Sequence, residues 1–313
     1  MGLAINGKKI IGLVLNGKNI LGEAKNGKVI WRFIDSKPWK FTADNSVNSV
    51  AVDSSGNVYA GTAGHSVYKL NTSGKQVWQF TADNWVDSVA VDSSGNVYAG
   101  TYGNSVYKLD ASGKQVWQFT ADNWVDSVAV DSSGNVYAGT SSSSVYKLDA
   151  SGKQVWQFTA DRDVRSVAVD SSGNVYAGTS SSSVYKLDAS GNKVWQFTAD
   201  RDVRSVAVDS SGNVYAGTDG NSVYKLDASG NKVWQFTADS IAYSVAVDSS
   251  GNVYAGTYGY SVYKLDASGN KVWQFTADIY VDSVAVDSSG NVYAGTSSSS
   301  VYKITPDGSN TAT

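Results

Sequence analysis

The string Ser-Val-Ala-Val-Asp-Ser-Ser-Gly-Asn-Val-Tyr-Ala-Gly-Thr occurs seven times without a substitution. Its copies begin at Ser49, Ser88, Ser127, Ser166, Ser205, Ser244 and Ser283, 39 residues apart. A fixed period of this length means one small unit, unable to bury its apolar face alone, stacked on copies of itself. No helical periodicity is visible. Short β-branched and aromatic runs alternate with Gly, Asn, Asp and Ser clusters, so the unit is built from strands.

The first copy reads as four strands: Ser49–Asp53, Val58–Thr62, Ser66–Leu70 and Gln76–Phe80. Asp53-Ser54-Ser55-Gly56-Asn57 and Asn71-Thr72-Ser73-Gly74-Lys75 are turn chemistry: Asx side chains bond the backbone ahead and Gly supplies positive φ. Hairpin-length connections make an antiparallel meander. Seven such sheets bury their faces and protect their edges by radial closure. The expected fold is therefore all-β, a seven-bladed β-propeller of 39-residue, four-stranded repeats. A linear β-solenoid is the alternative.

Closure is readable at the chain ends. Trp recurs at 78, 117, 156, 195, 234 and 273, and Trp39 lies one period earlier, in Pro38-Trp39-Lys40-Phe41-Thr42-Ala43-Asp44. The last copy stops after Ser300-Val301-Tyr302-Lys303-Ile304, with no fourth strand of its own. The strand around Trp39 should complete the last blade. This divides the chain into an N-terminal module (1–35), a propeller (36–306) and a flexible tail (307–313).

The pattern Asn-Val-Tyr-Ala-Gly-Thr, Ser-Val-Tyr-Lys-Leu-Asp-Ala-Ser-Gly-Lys-Gln-Val-Trp-Gln-Phe resembles the quinoprotein-type (PQQ-like) propeller repeat. The resemblance implies that Trp78 and its equivalents dock between blades. It implies no enzyme: the quinone-binding members are longer, usually eight-bladed, and hold quinone and calcium on elaborated loops that have no counterpart here. A cofactor-free member is expected.

Residues 1–35 carry Asn6-Gly7-Lys8, Asn16-Gly17-Lys18 and Asn26-Gly27-Lys28, ten residues apart between apolar runs. Asn-Gly in that setting signals β-hairpins. The module is too small to stand alone, so it should self-associate or dock on a larger assembly. It resembles N-terminal segments of Gram-positive phage and prophage tail proteins.

Differences between copies crowd into two windows, the fourth-to-first and the second-to-third strand connections, which propeller topology puts on one face. The first window holds Asn45-Ser46-Val47-Asn48, Asn84-Trp85-Val86-Asp87, Asn123-Trp124-Val125-Asp126, Arg162-Asp163-Val164-Arg165, Arg201-Asp202-Val203-Arg204, Ser240-Ile241-Ala242-Tyr243 and Ile279-Tyr280-Val281-Asp282. Its small apolar third position should point inward. The second window holds Ala63-Gly64-His65 and then Tyr102, Tyr258 and Tyr260, with Ser, Gly, Asn and Asp elsewhere. Aromatics with small polar residues are a paratope palette. The candidate ligand-binding residues are Trp85, Asp87, Tyr102, Trp124, Asp126, Arg162, Arg165, Arg201, Arg204, Tyr243, Tyr258, Tyr260 and Tyr280. The ligand class is open between protein and glycan. The alternative is a symmetric scaffold, structural or engineered, without a natural ligand.

Catalysis and metals find little support. The sole histidine, His65, gives the serine runs Ser141–Ser144, Ser180–Ser183 and Ser297–Ser300 no repeated base. The Asp residues of Thr-Ala-Asp (Asp44, Asp83, Asp122 and their equivalents) are expected to cap turns rather than hold a cation. No cofactor and no metal are expected. A net charge of −3 and a pI of about 5.2 disfavour general nucleic-acid or anionic-membrane binding. There is no cysteine, hence no disulfide. No run approaches the length of a membrane helix. The N-terminus lacks a basic, apolar leader pattern, which makes a cytoplasmic or virion-associated location the expectation.

Overall fold

The repeated strands pair in the order in which they occur. In a computed structural model, residues 38–310 are described throughout, together with the backbone of strands Leu3–Ile5, Lys8–Leu15, Lys18–Lys25 and Lys28–Ile34. Blade 1 consists of Val47–Val52, Val58–Thr62, Ser66–Leu70 and Gln76–Thr81, antiparallel throughout. Blades 2 to 6 repeat it from Val86, Val125, Val164, Val203 and Ala242. Blade 7 comprises Val281–Val286, Val292–Thr296, Ser300–Ile304 and, from the other end of the propeller sequence, Lys40–Thr42.

This last pairing is the three-plus-one closure. Val301 pairs with Phe41 and Tyr302 with Lys40. Lys303 N donates to Trp39 O at 2.9 Å, and Ala43 N to Ser299 O at 2.7 Å. First strands of neighbouring blades lie side by side all round the ring, Val281–Val286 against Val47–Val52 included. They therefore line the axis. Second strands are buried at every residue, whereas fourth strands form the exposed rim.

Packing is between blades. Tyr137 and Val145 of blade 3 meet Val164, Val167, Val175 and Leu187 of blade 4 in one buried cluster, with Trp156 and Phe158 against it. Close approach explains the invariant glycine before Thr: a Cβ on Gly139 would stand 2.6 Å from Val164 Cγ1 and 3.1 Å from Val164 O. The series tryptophans dock as the resemblance implies. Trp156 Nε1 donates to Ala189 O of the next blade at 3.1 Å, and its ring lies over Gly191. Trp39 makes the same bond to Thr72 O at 3.0 Å. At the far end Trp273 bonds Pro306 O at 3.0 Å, within a turn in which Thr305 N bonds Ser309 O. Residues 305–309 thus form the turn against which Trp273 docks.

Both nearly invariant turns are closed by their own side chains. Asp53 Oδ1 accepts from the N–H of Ser55 and Asn57, and Oδ2 accepts from Asn57 Nδ2 and Tyr59 Oη. Gly56 takes the positive φ. The four N-terminal strands form a sheet in chain order, with Ile5 paired to Lys8, Leu15 to Lys18 and Lys25 to Lys28. The Asn-Gly pairs between them lie outside the described residues, as do residues 311–313.

Candidate ligand funnel

Each first strand is irregular at one place. In blade 2, Val86 pairs with Thr101 and Ser88 with Gly100, so Asp87 is the extra residue of a β-bulge. The same shift occurs in every blade. The residue before the bulge is buried: Val47, Val86, Val125, Val164, Val203, Ala242 and Val281 are all 0% exposed. This is the inward third position of the first window. A bulge re-aims its side chain, and here it aims seven of them at the axis. The resulting ring is Asn48, Asp87, Asp126, Arg165, Arg204, Tyr243 and Asp282. It lines a funnel of about 570 Å³, with Trp85, Tyr102 and Tyr258 among its walls.

The two windows meet residue by residue. A backbone bond joins Tyr102 N to Trp85 O, and the same bond recurs from blade to blade. It sets the ring residue beside the residue 15 positions later. Ser141 Oγ donates to Asp126 Oδ2 at 2.7 Å, and Ser297 Oγ to Asp282 Oδ2 at 2.6 Å. Arg204 forms a bidentate pair with Asp219, at 2.6 and 2.7 Å. Tyr243 stacks on Tyr258 with centroids 4.7 Å apart. In four of the seven blades the two windows therefore hold complementary partners, a coupling that could have been noticed as a fixed separation in the sequence.

Not every ring group is answered. Asp87 Oδ1 accepts from Asn48 Nδ2 at 3.1 Å, but Oδ2 is buried without a hydrogen-bond partner among the described residues. Arg165 Nη2 reaches Asp163 at 3.2 Å and Nη1 lies 3.8 Å from Asp126, while Nε is buried and unpartnered. Burial first, and then the neighbouring Asp126, push the Asp87 carboxyl up from 3.8 to about 7 against the Asn48 hydrogen bond. Burial likewise raises Asp282 to about 6, with the Ser297 bond opposing it. Asp126 is also raised by burial, opposed by Ser141 and Arg165.

Outside the ring stand two aromatic ridges. Trp85 and Trp124 flank Tyr102, at centroid distances of 5.4 and 4.3 Å. Across the funnel, Tyr280 touches both Tyr258 and Tyr260, at 4.8 and 5.4 Å. Tyr260 has φ 66°, in the left-handed region shared by the turn residues His65, Asn104, Ser143, Ser182, Asn221 and Ser299. Asn and Ser suit that backbone; a tyrosine there is strained.

A family model described as outer membrane protein assembly factor BamB, a PQQ-repeat model, matches residues 20–182 and again 180–312. The chain belongs to this PQQ-like propeller family. Among solved structures, the crystal structure of the WD40 β-propeller domain of Doa1 is similar to this PQQ-like propeller at 17% identity and a TM-score of 0.76, covering 84% of this chain and 93% of that one. At that identity the likeness concerns the fold. No curated protein matches.

Of the residues singled out from the sequence, the funnel of this PQQ-like propeller brings together Trp85, Asp87, Tyr102, Asp126, Arg165, Arg204, Tyr243 and Tyr258. Trp124, Tyr260 and Tyr280 stand on the outer ridges, and Arg162 and Arg201 point to solvent at the first window position, away from the funnel. Only the fourth window position is bulged toward the axis, so these two arginines stand on the variable face outside the funnel. Asn48 and Asp282 were missed, although they occupy the same window position as Asp87. The Thr-Ala-Asp carboxylates cap turns: Asp200 accepts from Thr218 Oγ1 at 2.8 Å and from Ser222 Oγ at 2.6 Å. Among the described residues no cluster of His, Asp and Glu is arranged to hold a metal ion, and no helix is long and apolar enough to cross a membrane.

Proposed function

We propose that this PQQ-like propeller is a recognition module, not an enzyme, which takes a protein or glycan ligand at the variable face and into the funnel. One observation carries the reading. The variable position of every blade is a bulge residue aimed at one cavity, while the turns of the opposite face are nearly invariant. Drift would alter both faces. A family description that names an assembly factor, a binding role, agrees with it. Buried, unpartnered polar atoms also fit a site finished by its ligand, since such atoms destabilise a protein that has no use for them. Residues 1–35 would then supply attachment, through self-association or docking on a larger assembly.

The test is a protein and glycan array probed with the whole chain and with the double variant Trp85→Ser/Trp124→Ser. Binding that disappears in the variant, while Ser54→Ala on the opposite face leaves it intact, is the expected result. A ligand that depends on the invariant turns and ignores both tryptophans refutes the reading.

A further inference from the structure

The charges of the funnel are not evenly matched. Its two arginines each already hold a carboxylate: Arg204 pairs with Asp219 in a bidentate pair, and Arg165 with Asp163 and, more distantly, Asp126, its Nε alone being unpartnered among the described residues. Among the described residues no cation is left for the other acids: Asp87 has the Asn48 amide on one oxygen and Asp282 the Ser297 hydroxyl. These acids lie on one arc. Around the ring the order is Asp282, Asn48, Asp87, Asp126, so blades 7, 2 and 3 line the funnel with a carboxylate and blade 1 with an amide, and none of the four ring positions holds a cation. The arc is walled by Trp85 and Tyr102 on blade 2, and Tyr258 lines the funnel on blade 6.

Resting on the reading of the variable face as a binding face, we infer that the funnel recognises an organic cation, an alkylammonium or guanidinium group, seated between Asp87 and its acidic neighbours. The chemistry selects that class over a metal ion and over an anion. Phosphate or carboxylate would face the acidic arc, and both arginines already hold carboxylates. A small inorganic cation would gain nothing from aromatic walls, whereas an organic cation is attracted to ring faces as well as to carboxylates. The cavity of about 570 Å³ is too large for a bare ion and is of the size that takes a side chain with adjoining backbone, or a polyamine. Its buried carboxyls sit above the usual carboxylate range, as expected where the counter-charge arrives with the ligand.

Two sources share this chemistry: a free polyamine, and a lysine or arginine side chain on a partner protein. The experiment uses the whole chain with calorimetric titration at pH 7.5, and as probes butylammonium, spermidine and the capped peptide Gly-Lys-Gly, with butanol as the neutral isostere. The expected result is saturable one-to-one binding of the cations, none of butanol, and a loss of roughly tenfold or more in Asp87→Asn. That variant preserves volume, and a circular-dichroism melt shows that it is folded. Tighter binding of the peptide than of spermidine identifies a protein partner, and the reverse order a free amine. Cations that fail to bind at concentrations up to about 10 mM, or that bind Asp87→Asn as well as the parent, overturn the assignment. A neutral glycan captured through Trp85 and Trp124 would do so too, yet leave the variable-face reading standing. Only a ligand indifferent to both tryptophans would remove that reading as well.

Discussion

If Asp87 is held in the funnel for a ligand, the protein should become more stable without its charge. Burial, then Asp126 from blade 3, raises its pKa from 3.8 to about 7, and Asn48 from blade 1 offsets only part of this. Tyr102 from its own blade contributes no positive charge. The folded state therefore takes up the proton before the unfolded chain does. The burden is absent below the unfolded value, grows between pH 4 and 7, and is complete above the folded value. Three pH decades correspond to about 4 kcal/mol. Asp87→Asn keeps the volume and can still accept from Asn48, so it should recover about 2–4 kcal/mol at pH 8 and almost nothing at pH 4. For a chain of this size that is a rise in melting temperature of about 3–6 °C. The assay is a pair of thermal melts, parent and variant, from pH 4 to 8. Turn carboxylates such as Asp92 and Asp131, which hydrogen bonding holds low despite partial burial, change stability in the opposite direction with pH. They do so equally in both proteins and cancel in the difference. A variant that melts below the parent at pH 8, or a gap independent of pH, refutes the reasoning.

Other outcomes follow from the same geometry. Deleting residues 1–42 removes Trp39 and Phe41 and bares the Val301–Tyr302 edge, which should lower the melting temperature by about 10 °C, while deleting residues 1–34 should leave the ring folded; equal melts for the two truncations would refute the closure. Trp156→Ala, losing a half-buried ring and its bond to Ala189, should cost about 3 kcal/mol in denaturant unfolding, and Trp124→Ser on the outer ridge less than about 1. Gly139→Ala forces a methyl against Val164 and its carbonyl and should cost about 1–3 kcal/mol. Tyr260→Asn, which suits the left-handed backbone, should stabilise by about 1 kcal/mol unless the contact with Tyr280 compensates; an unchanged melt would show that it does.

The ring itself was legible in the sequence because every blade repeats one local solution. Gly56 and Asp53 dictate a turn wherever they recur. The alternation around Trp78 marks an outer strand, and Trp39 without a preceding repeat leaves only one free edge, beside Val301. Such information is local, or is a periodicity, and neither needs the rest of the fold to be read. The window residues could be placed on one face for the same reason, since hairpin connectivity decides the face.

What the sequence left undecided is which of those residues reach the axis. Asp87 and Arg162 both lie in the same window, one bulged toward the funnel and the other out to solvent. The bulge arises where a first strand has one residue too many for its neighbour, a property of pairing rather than of residue type. Asn48 and Asp87 become neighbours only because blades 1 and 2 pack side by side, and Asp282 joins their arc only when the ring closes. The raised carboxyls of Asp87 and Asp282 exist only there as well. Desolvation is imposed by seven first strands converging on one axis, and no stretch of the chain carries it until they do.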